Sequence, residues 1–431
     1  MSPAAAVRAL ATARTRLLGR ARAFTLPALI AMPVPLVAAA LVALWPTDPP
    51  QPQLAQCLQR LRATSAARSI RPATWRTLDG LKPDPRVLVN LDAQPEFTLP
   101  IWDYFAVMVD QERIDDAQFL LREHRATLAR VSARYGVDQA TVVAVWGVES
   151  NFGKGRGGYH ILRSLATLSC NGRRQTYFRR ELLSALRIVQ GGHVEPDAFV
   201  GSWAGAFGQT QFMPSTFERL AIDFDGDGRR DLMESVPDAL ASTANYLRNA
   251  GWRTGKPWGL EVRLPSANGQ PFSLAGEGRR VRRTLEEWRA RGLTRVDGTP
   301  LLQGDLAAAT TAGLLTPAGA AGPAFLVMRN FDAVFSYNAA VSYALAIVHL
   351  ADRLRGGAEF VTAWPTDDLG ISRVERRELQ ALLAQRGHDI GTPDGILGRR
   401  TRDAVKAEQE RLGHEATGRP GQRLLRALRE M

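Results

Sequence analysis

Residues 138–153 read DQATVVAVWGVESNFG, and they place one carboxylate at the end of an apolar helix. Asp138 is a suitable N-cap for this helix, and Gly153 closes the run. A helix that is apolar on most sides lies buried in a protein core. The stretch therefore predicts a buried helix whose last turn carries Glu149.

The surroundings of Glu149 favour an uncharged carboxyl group. Val145 and Trp146 stand four and three residues earlier, on the same face of the helix. Apolar neighbours and the negative end of the helix dipole both disfavour the ionised form, so we expect Glu149 to keep its proton at higher pH than a free glutamate. A proton donor in glycoside cleavage needs this property. The alternative is a glutamate that only caps or pairs at a helix end.

A second motif, GSWAGAFGQTQFMPS at residues 201–215, is a glycine-punctuated loop that runs into a helix. Its glycines allow close backbone approach, and Pro214 suits the first helical turn. Ser202 and Gln211 offer hydroxyl and amide groups that suit contacts with sugar hydroxyl and N-acetyl groups. Together with Glu149, the loop predicts a cleft that binds a sugar chain.

The spacing of apolar residues predicts a mainly α-helical chain. Residues 261–325 interrupt the helices with Gly, Pro and short apolar runs, which predict loops with a few strands. From Ser372, which forms a capping box with Glu375, a small three-helix unit follows. We expect a catalytic domain over 51–360 and a small domain over 366–431. The predicted helices of the larger domain, besides 138–153, are Gln111 to Tyr135, Arg179 to Gln190, Ser215 to Ile222, Pro237 to Ala250 and Ala339 to Arg355.

The N-terminal residues 1–50 have the pattern of a membrane-targeting segment. Five arginines precede an uncharged apolar run from Phe24 to Trp45. The run is long enough for a membrane anchor, and its prolines and small residues also fit a cleavable signal peptide. Positive charge before the run predicts that the rest of the chain lies outside the cytoplasm. There, Cys57 and Cys170 form one disulfide or remain two buried thiols.

The composition predicts a globular protein with an anionic partner. The chain has 431 residues, 45% of them hydrophobic, and a formal net charge of +12. Such a charge suits nucleic acid, a membrane surface or a polymer rich in carboxylates. No recognition helix, zinc finger or aromatic RNA-binding motif is present in the sequence. We therefore expect no nucleic acid partner.

An acidic stretch at residues 223–234 has the ligand spacing of an EF-hand calcium loop. Its oxygen donors stand at positions 1, 3, 5, 7, 9 and 12, with glycine at position 6. The stretch predicts a structural calcium ion, and the alternative is an acidic turn that binds no ion. The predicted ligands are Asp223, Asp225, Asp227, Arg229 through its backbone carbonyl, Asp231 and Glu234.

Other chemistry-bearing patterns fail on their context. Gly153, Gly155 and Gly158 fit a dinucleotide fingerprint, but they follow a helix instead of a strand. The six histidines have no metal-ligand spacing, and the sequence contains neither a Walker loop nor a nucleophile elbow. We expect catalysis without a cofactor.

The two motifs and the later Tyr337-Asn338 pair resemble the membrane-bound lytic murein transglycosylase B family, from about Cys57 to Leu354. The resemblance implies a lysozyme-like, mainly α-helical catalytic domain, with Glu149 as its acid/base. It also implies a longer EF-hand-like loop, in which Asp238 competes with Glu234 as the closing ligand. Asn338 has a second interpretation, as the N-cap of the following helix. The residues that the resemblance implies for the glycan cleft are Ser150, Tyr177, Ser202, Gln211, Tyr337, Asn338 and Tyr343.

The resemblance also implies a reaction that needs one carboxylate. Ordinary glycosidases use two, and the motifs supply only Glu149. In the family's chemistry the N-acetyl group of the substrate attacks the anomeric carbon, and the muramoyl C6 hydroxyl then closes a 1,6-anhydro ring. The implied partner is the peptidoglycan glycan strand, in the periplasm or cell envelope, with attachment to the inner membrane if residues 1–50 stay uncleaved. Alternatives are a lysozyme-type hydrolase and a non-catalytic peptidoglycan-binding scaffold.

The C-terminal unit resembles the three-helix peptidoglycan-binding domain. The turn GTPDGILG at residues 391–398 precedes a helix that contains Thr401. Glu408 stands where that family usually has an aromatic residue. The alternative is a small helical cap that only stabilises the larger domain.

Overall fold

The described chain consists mainly of helices, and the buried stretch that the sequence singles out is one of them. The computed structural model describes residues 51–92, 99–266, 270–302 and 306–430, so the targeting segment predicted over 1–50 lies outside the described residues. The prediction of a mainly α-helical chain is confirmed. The helices are α1 Gln51–Arg62, α2 Pro72–Trp75, α3 Arg86–Val89, α4 Ile101–Met108, α5 Gln111–Glu123, α6 Arg125–Tyr135, α7 Gln139–Ser150, α8 Ile161–Cys170, α9 Gln175–Gln190, α10 Pro214–Leu220, α11 Val236–Asn249, α12 Leu285–Ala290, α13 Arg329–Asn338, α14 Val341–Leu354, α15 Arg373–Gln385, α16 Arg399–Arg411 and α17 Gln422–Arg429.

Helix α7 is the central element of the larger core. The Asp138 side chain caps it by accepting a hydrogen bond from the Thr141 backbone N–H. Every residue from Ala140 to Val148 is buried, as the apolar pattern predicts, and α7 packs against α14. The helix ends at Ser150, where Asn151 adopts a left-handed backbone with φ of 49°. The chain therefore turns sharply just beyond Glu149.

The single helix predicted over 111–135 is wrong, because the structure divides it at His124. There the backbone leaves helical geometry, with φ of −96° and ψ of 20°, and α5 gives way to α6. The His124 ring packs near Trp146 of α7, with 5.7 Å between the ring centroids. Apolar spacing alone misses the break, because His124 lies on the buried face and keeps the three-and-four rhythm.

A second core forms around α8 and α9 and includes the N-terminal helix α1. Cys57 of α1 and Cys170, the last residue of α8, form a disulfide with a Cα–Cα distance of 5.9 Å. This pairing decides between the two possibilities that the sequence leaves open. Among the described residues, no helix has both the length and the apolar character needed to cross a bilayer.

The predicted elaboration is a five-stranded antiparallel sheet beside the helical body. The strands are β1 Tyr159–His160, β2 Val200–Gly201, β3 Gly259–Arg263, β4 Arg282–Thr284, β5 Thr294–Arg295, β6 Thr311–Leu315 and β7 Ala324–Val327. The five-stranded sheet has the order β4-β6-β7-β3-β5, and β1 and β2 form a separate two-stranded ladder. Trp288 of α12 is fully buried against the five-stranded sheet, and its indole N–H donates to the Ala312 carbonyl at 3.0 Å.

The last three helices, α15 to α17, have a small core of their own, which includes Leu379, Val405 and Leu425. The predicted capping box at the start of α15 is confirmed, since Ser372 and Glu375 bond each other's backbone N–H. Glu408 is 4% exposed and bonds His388 at 2.8 Å and Arg411 at 2.8 Å. Its carboxylate is therefore a buried polar centre of this small domain.

We predict that His349 makes the protein less stable in acid. Its ring is buried in α14 and stacks on Phe360 with 3.8 Å between centroids, and burial lowers its pKa from 6.5 to about 3. Below pH 6.5 the unfolded chain binds a proton that the native chain does not. The free energy of unfolding should therefore fall by up to about 1.4 kcal/mol per pH unit until the pH reaches the native pKa.

Urea unfolding of the wild type and His349→Phe, between about pH 7 and pH 4, checks this prediction. The variant keeps an aromatic ring but does not titrate, so we expect a shallower loss of stability in acid. Parallel loss in both proteins would contradict the assignment to His349.

Candidate active site

A cleft of about 410 Å³ opens beside the end of α7. It lies where the last turn of α7, the start of α9, the 202–213 loop and the end of α13 come together. Among the described lining residues, Glu149 is the only one that has a carboxyl group. The residues that line the cleft are Leu91, Glu149, Arg173, Arg174, Tyr177, Phe178, Ser202, Trp203, Ala204, Ala206, Gln211, Met213, Tyr337 and Asn338.

Glu149 is partly exposed on the cleft wall, while the helix behind it is dry. Val145 and Trp146 are both buried, as the predicted apolar backing requires. The Tyr343 hydroxyl of α14 donates a hydrogen bond to Glu149 Oε1. This bond orients the carboxyl group from the protein side.

Tyr246, Tyr337 and Tyr343 form an aromatic cluster next to Glu149. The ring of Tyr337 lies 4.5 Å from that of Tyr246 and 6.4 Å from that of Tyr343. Burial, and then the charge of Glu149, raise the pKa of Tyr337 and of Tyr343 well above the ordinary value. Both phenols are therefore neutral hydrogen-bond donors at neutral pH.

The predicted loop folds back on itself and presents two of its polar side chains to the cleft. Ser202 Oγ accepts a hydrogen bond from the Ala206 backbone N–H at 3.0 Å. The Gln211 side-chain amide donates to the carbonyls of Gly208 at 2.8 Å and Arg156 at 3.1 Å, and its backbone is left-handed, with φ of 49°. Both side chains line the cleft in fixed orientations, so the loop is a preformed wall.

Two residues predicted on the cleft wall lie behind it. Ser150 is 3% exposed, and its hydroxyl donates to the Gln209 carbonyl and accepts from the Gly153 N–H. Tyr343 is 3% exposed, and its hydroxyl donates a hydrogen bond to Glu149. The expectation that both touch the sugar is corrected to a supporting position, because their hydroxyl groups are already engaged within the protein.

Tyr177, Tyr337 and Asn338 line the cleft, as the resemblance implies. Burial raises the pKa of Tyr177 to about 12, so its hydroxyl also stays protonated. The interpretation of Asn338 as an N-cap is wrong, since Asn338 ends α13 and Ala340 occupies the N-cap of α14. Two residues separate the helices, and Asn338 lines the cleft just before this short connection.

Sequence reasoning missed several lining residues, notably Trp203, Arg173 and Arg174. Trp203 lies within the loop over residues 201–215, where a large aromatic residue among glycines can indicate a contact with a sugar ring. The two arginines precede α9 in a turn in which Arg174 is left-handed, with φ of 62°. Nothing in their spacing indicates that this turn faces the 202–213 loop.

The acidic loop brings three of its predicted calcium ligands together. Carboxylate oxygens of Asp223, Asp225 and Asp227 lie within 4.8 Å of one another. Asp223 accepts hydrogen bonds from the backbone of Gly226 at 2.7 Å and Gly228 at 2.9 Å, which holds the loop in a tight curve. Converging carboxylates on such a curve suit a hard divalent cation such as Ca²⁺.

The remaining predicted ligands are arranged differently. The Glu234 carboxylate pairs with Arg156 at 2.8 Å. Asp238 is fully buried and accepts hydrogen bonds from the backbone N–H groups of Phe224 at 2.7 Å and Asp231 at 2.8 Å. Neither residue joins the three converging carboxylates, so the structure corrects both as closing ligands. Asp231 accepts from the backbone N–H groups of residues 233 and 234, and Arg229 lies beside it at 3.7 Å.

Two protein families match this chain along successive segments. Residues 53–352 match the family model of the transglycosylase SLT domain, and residues 372–428 match that of a peptidoglycan binding domain. Membrane-bound lytic murein transglycosylase B of Escherichia coli strain K12 is 32% identical to this chain over 249 residues. The match covers 57% of this chain and 65% of that protein, which is slightly less than two thirds of the relative's length.

Solved structures share the fold over most of the described chain. SltB3 from Pseudomonas aeruginosa, in complex with NAG-anhNAM-pentapeptide, is 46% identical, with a TM-score of 0.69 over 87% of this chain and 99% of that chain. Slt35 of Escherichia coli, in complex with calcium, is 28% identical, with a TM-score of 0.59 over 72% of this chain and 93% of that chain.

These similarities confirm the resemblance drawn from the two motifs and from the C-terminal turn. The first family model covers more than half of the chain and includes the whole cleft. The larger domain accordingly has the lysozyme-like transglycosylase fold. The chain therefore belongs to the family defined by the transglycosylase SLT domain, with a peptidoglycan binding domain following that domain.

Proposed function

We propose that this protein is a lytic transglycosylase that cleaves the MurNAc–GlcNAc β-1,4 bond of peptidoglycan, with Glu149 as the single acid/base. The observation that carries the proposal is the lone carboxyl group among the described residues of the cleft. Two carboxylates are the rule in hydrolases that retain or invert configuration. The complex of the relative SltB3 with NAG-anhNAM-pentapeptide supports the same substrate class.

In the first step Glu149 acts as the acid. Its proton passes to the glycosidic oxygen as the bond from that oxygen to the muramoyl anomeric carbon breaks. The carbonyl oxygen of the muramoyl N-acetyl group bonds to the anomeric carbon, which replaces a carboxylate nucleophile. The Tyr343 hydroxyl, which donates to Glu149 Oε1, holds the carboxyl group in orientation and stabilises the negative charge that it gains.

In the second step Glu149 acts as the base. It takes the proton of the muramoyl C6 hydroxyl, whose oxygen bonds to the anomeric carbon while the N-acetyl oxygen leaves. The products are a free GlcNAc hydroxyl end and a 1,6-anhydromuramoyl end, and no water is consumed. Ser202, Gln211, Tyr177, Tyr337 and Asn338 would hold the strand so that this hydroxyl reacts before water does.

Product analysis in ¹⁸O-labelled water tests the proposal. Purified glycan strands are digested, and the new ends are identified by mass spectrometry. We expect anhydro ends, which are lighter by one water molecule than hydrolysis products and carry no label. Labelled reducing ends would favour the lysozyme-type hydrolase, and the absence of fragments would favour the non-catalytic scaffold.

We further propose that the protein works in the cell envelope, with residues 51–360 as the catalytic domain and 366–431 as a wall-binding domain. The disulfide between Cys57 and Cys170 supports an oxidising compartment, because such bonds rarely persist in the cytoplasm. The match of residues 372–428 to a peptidoglycan binding domain supports a second contact with the wall. Peptidoglycan glycan strands are the partner that both domains would share.

The loop over 223–231 is proposed as a structural calcium site, outside the catalytic cleft. Asp223, Asp225 and Asp227 would hold the ion, and its charge would relieve the repulsion among their carboxylates. The calcium complex of the relative Slt35 supports this choice of ion.

We expect calcium to raise the melting temperature of the protein by a few degrees at about 1 mM. An Asp225→Asn, Asp227→Asn double variant should lose this shift, while magnesium at the same concentration should have a smaller effect. Thermal melts after chelation, and again after re-addition of each ion, measure the shift in melting temperature. An unchanged melting temperature in the wild type would contradict the site.

A further inference from the structure

One arginine of the C-terminal domain contacts the end of α7, the helix that carries Glu149. Arg373, the first residue of α15, donates from Nη1 to the Asn151 side-chain oxygen at 2.7 Å. Asn151 is the left-handed residue that ends α7, two positions after Glu149. A side chain 222 positions away in sequence therefore contacts the turn that directs the proposed acid/base.

This arginine is held firmly by a buried acid. Arg373 Nε and Nη2 donate to the two Asp110 carboxylate oxygens at 2.8 Å and 2.9 Å, and the Arg373 backbone N–H adds a bond at 3.2 Å. The Asp110 side chain is 2% exposed and that of Arg373 is 14% exposed. The bidentate geometry of the Arg373–Asp110 pair, together with its burial, restricts the positions that the guanidinium can take. The guanidinium is thus a fixed support for Asn151.

Asp110 also caps α5, the helix whose Arg113 contacts α7 on the other side of Glu149. Its Oδ1 accepts the Arg113 backbone N–H at 2.9 Å and so caps α5. The Arg113 guanidinium, 4% exposed, donates to the Gly147 carbonyl, two residues before Glu149. One buried carboxylate therefore caps the helix that carries Arg113 and pairs with Arg373, and these two arginines contact α7 before and after the proposed catalytic residue.

We propose that Arg373 is a positioning residue for Glu149, so that the C-terminal domain forms part of the catalytic apparatus besides any role in wall binding. The inference rests on the proposed function of Glu149. The direction of a side chain in the last helical turn depends on how that turn ends, and Arg373 holds its end. A displacement of about 1 Å at a reacting group costs on the order of 100-fold in rate.

The alternative is that Arg373 only fastens the two domains together, and Arg377 provides the matched control. It lies four residues later in α15 and crosses the same interface, but its hydrogen bonds go to Glu112 at 3.0 Å and 3.1 Å. Loss of either arginine removes an interdomain ion pair. Only loss of Arg373 removes the support of Asn151.

The test uses the full-length protein and soluble peptidoglycan fragments of defined length. The variants are Arg373→Ala, Arg377→Ala, Asn151→Gly and the Arg373→Ala, Asn151→Gly double variant, with Glu149→Gln in parallel. Glycine adopts the left-handed backbone of position 151 without strain, so Asn151→Gly removes only the acceptor. The readouts are kcat and KM, each measured after a circular dichroism check of folding.

We expect Arg373→Ala and Asn151→Gly each to lower kcat by about 10-fold to 100-fold with little change in KM. Arg377→Ala should stay within about twofold of the wild type. Arg373→Ala and Asn151→Gly break the same hydrogen bond. The double variant should therefore have a kcat no lower than that of Arg373→Ala alone.

Three results would overturn the inference: equal loss of kcat in Arg377→Ala and Arg373→Ala, fully additive losses in the double variant, or a change confined to KM. If Arg373→Ala does not fold, Asn151→Gly decides alone, since it keeps the buried pair with Asp110, and an unchanged kcat would refute the idea. Retained activity in Glu149→Gln would instead refute the proposed function, which separates the two failures.

Discussion

Glu149→Gln is expected to lower the rate of fragment release from peptidoglycan by about 100-fold to 10,000-fold while the protein stays folded. The amide has nearly the shape of the carboxyl group and still accepts the Tyr343 hydrogen bond, but it neither gives nor takes a proton. In a cleft whose described wall has one carboxyl group, no neighbour replaces it. Initial rates on purified peptidoglycan measure the loss.

The matched control is Glu123→Gln, the same chemical change at an exposed residue of α5. It should leave the rate unchanged. Thermal melts and circular dichroism of both variants separate lost chemistry from lost folding. Near-normal release by a folded Glu149→Gln protein would end the assignment of this residue as the acid/base.

Removal of the disulfide is expected to destabilise the protein by about 2–5 kcal/mol. Cys57 and Cys170 close a long loop, since they are 113 positions apart, so the bond restricts the unfolded chain strongly. The bond joins α1 to α8 within the core that also packs α9. Loss of the bond should therefore loosen the support of the turn that carries Arg173 and Arg174.

Urea unfolding of a Cys57→Ala, Cys170→Ala double variant measures this loss. The reduced wild-type protein is the internal control, and its unfolding midpoint should fall close to that of the variant. Addition of reductant should leave the variant unchanged, since no other cysteine is present in the chain. A midpoint equal to that of the oxidised wild type would contradict the expected stabilisation.

Several elements could be predicted because their causes are local. The apolar run and its Asp138 cap predict α7, and the capping box at Ser372 predicts the start of α15. The break at His124 could not be predicted, because His124 keeps the apolar rhythm and meets Trp146 of α7 only in the folded protein. Helix α9 begins at Gln175, one turn before the predicted Arg179, since helix ends depend on neighbours more than on propensity.

The candidate site divides in the same way. Two short motifs of the sequence contain Glu149, Ser202 and Gln211. Their residue types suit acid/base catalysis and sugar binding, which can be inferred before the fold is known. Ser150 belongs to the same motif but points into the protein, because adjacent positions on a helix face different directions. Which of them faces the cleft depends on the packing of α7 against other elements.

The sequence alone determined the helical class, the family resemblance and the carboxylate at the end of α7, because each depends on residues close together in the chain. Only the tertiary structure decided whether Cys57 and Cys170 pair, which wall residues meet and that Arg373 contacts Asn151. Those contacts join positions that lie far apart in the chain, or they depend on the direction of single side chains. Local sequence patterns carry no record of such distances, because they arise only when the separate helices pack together.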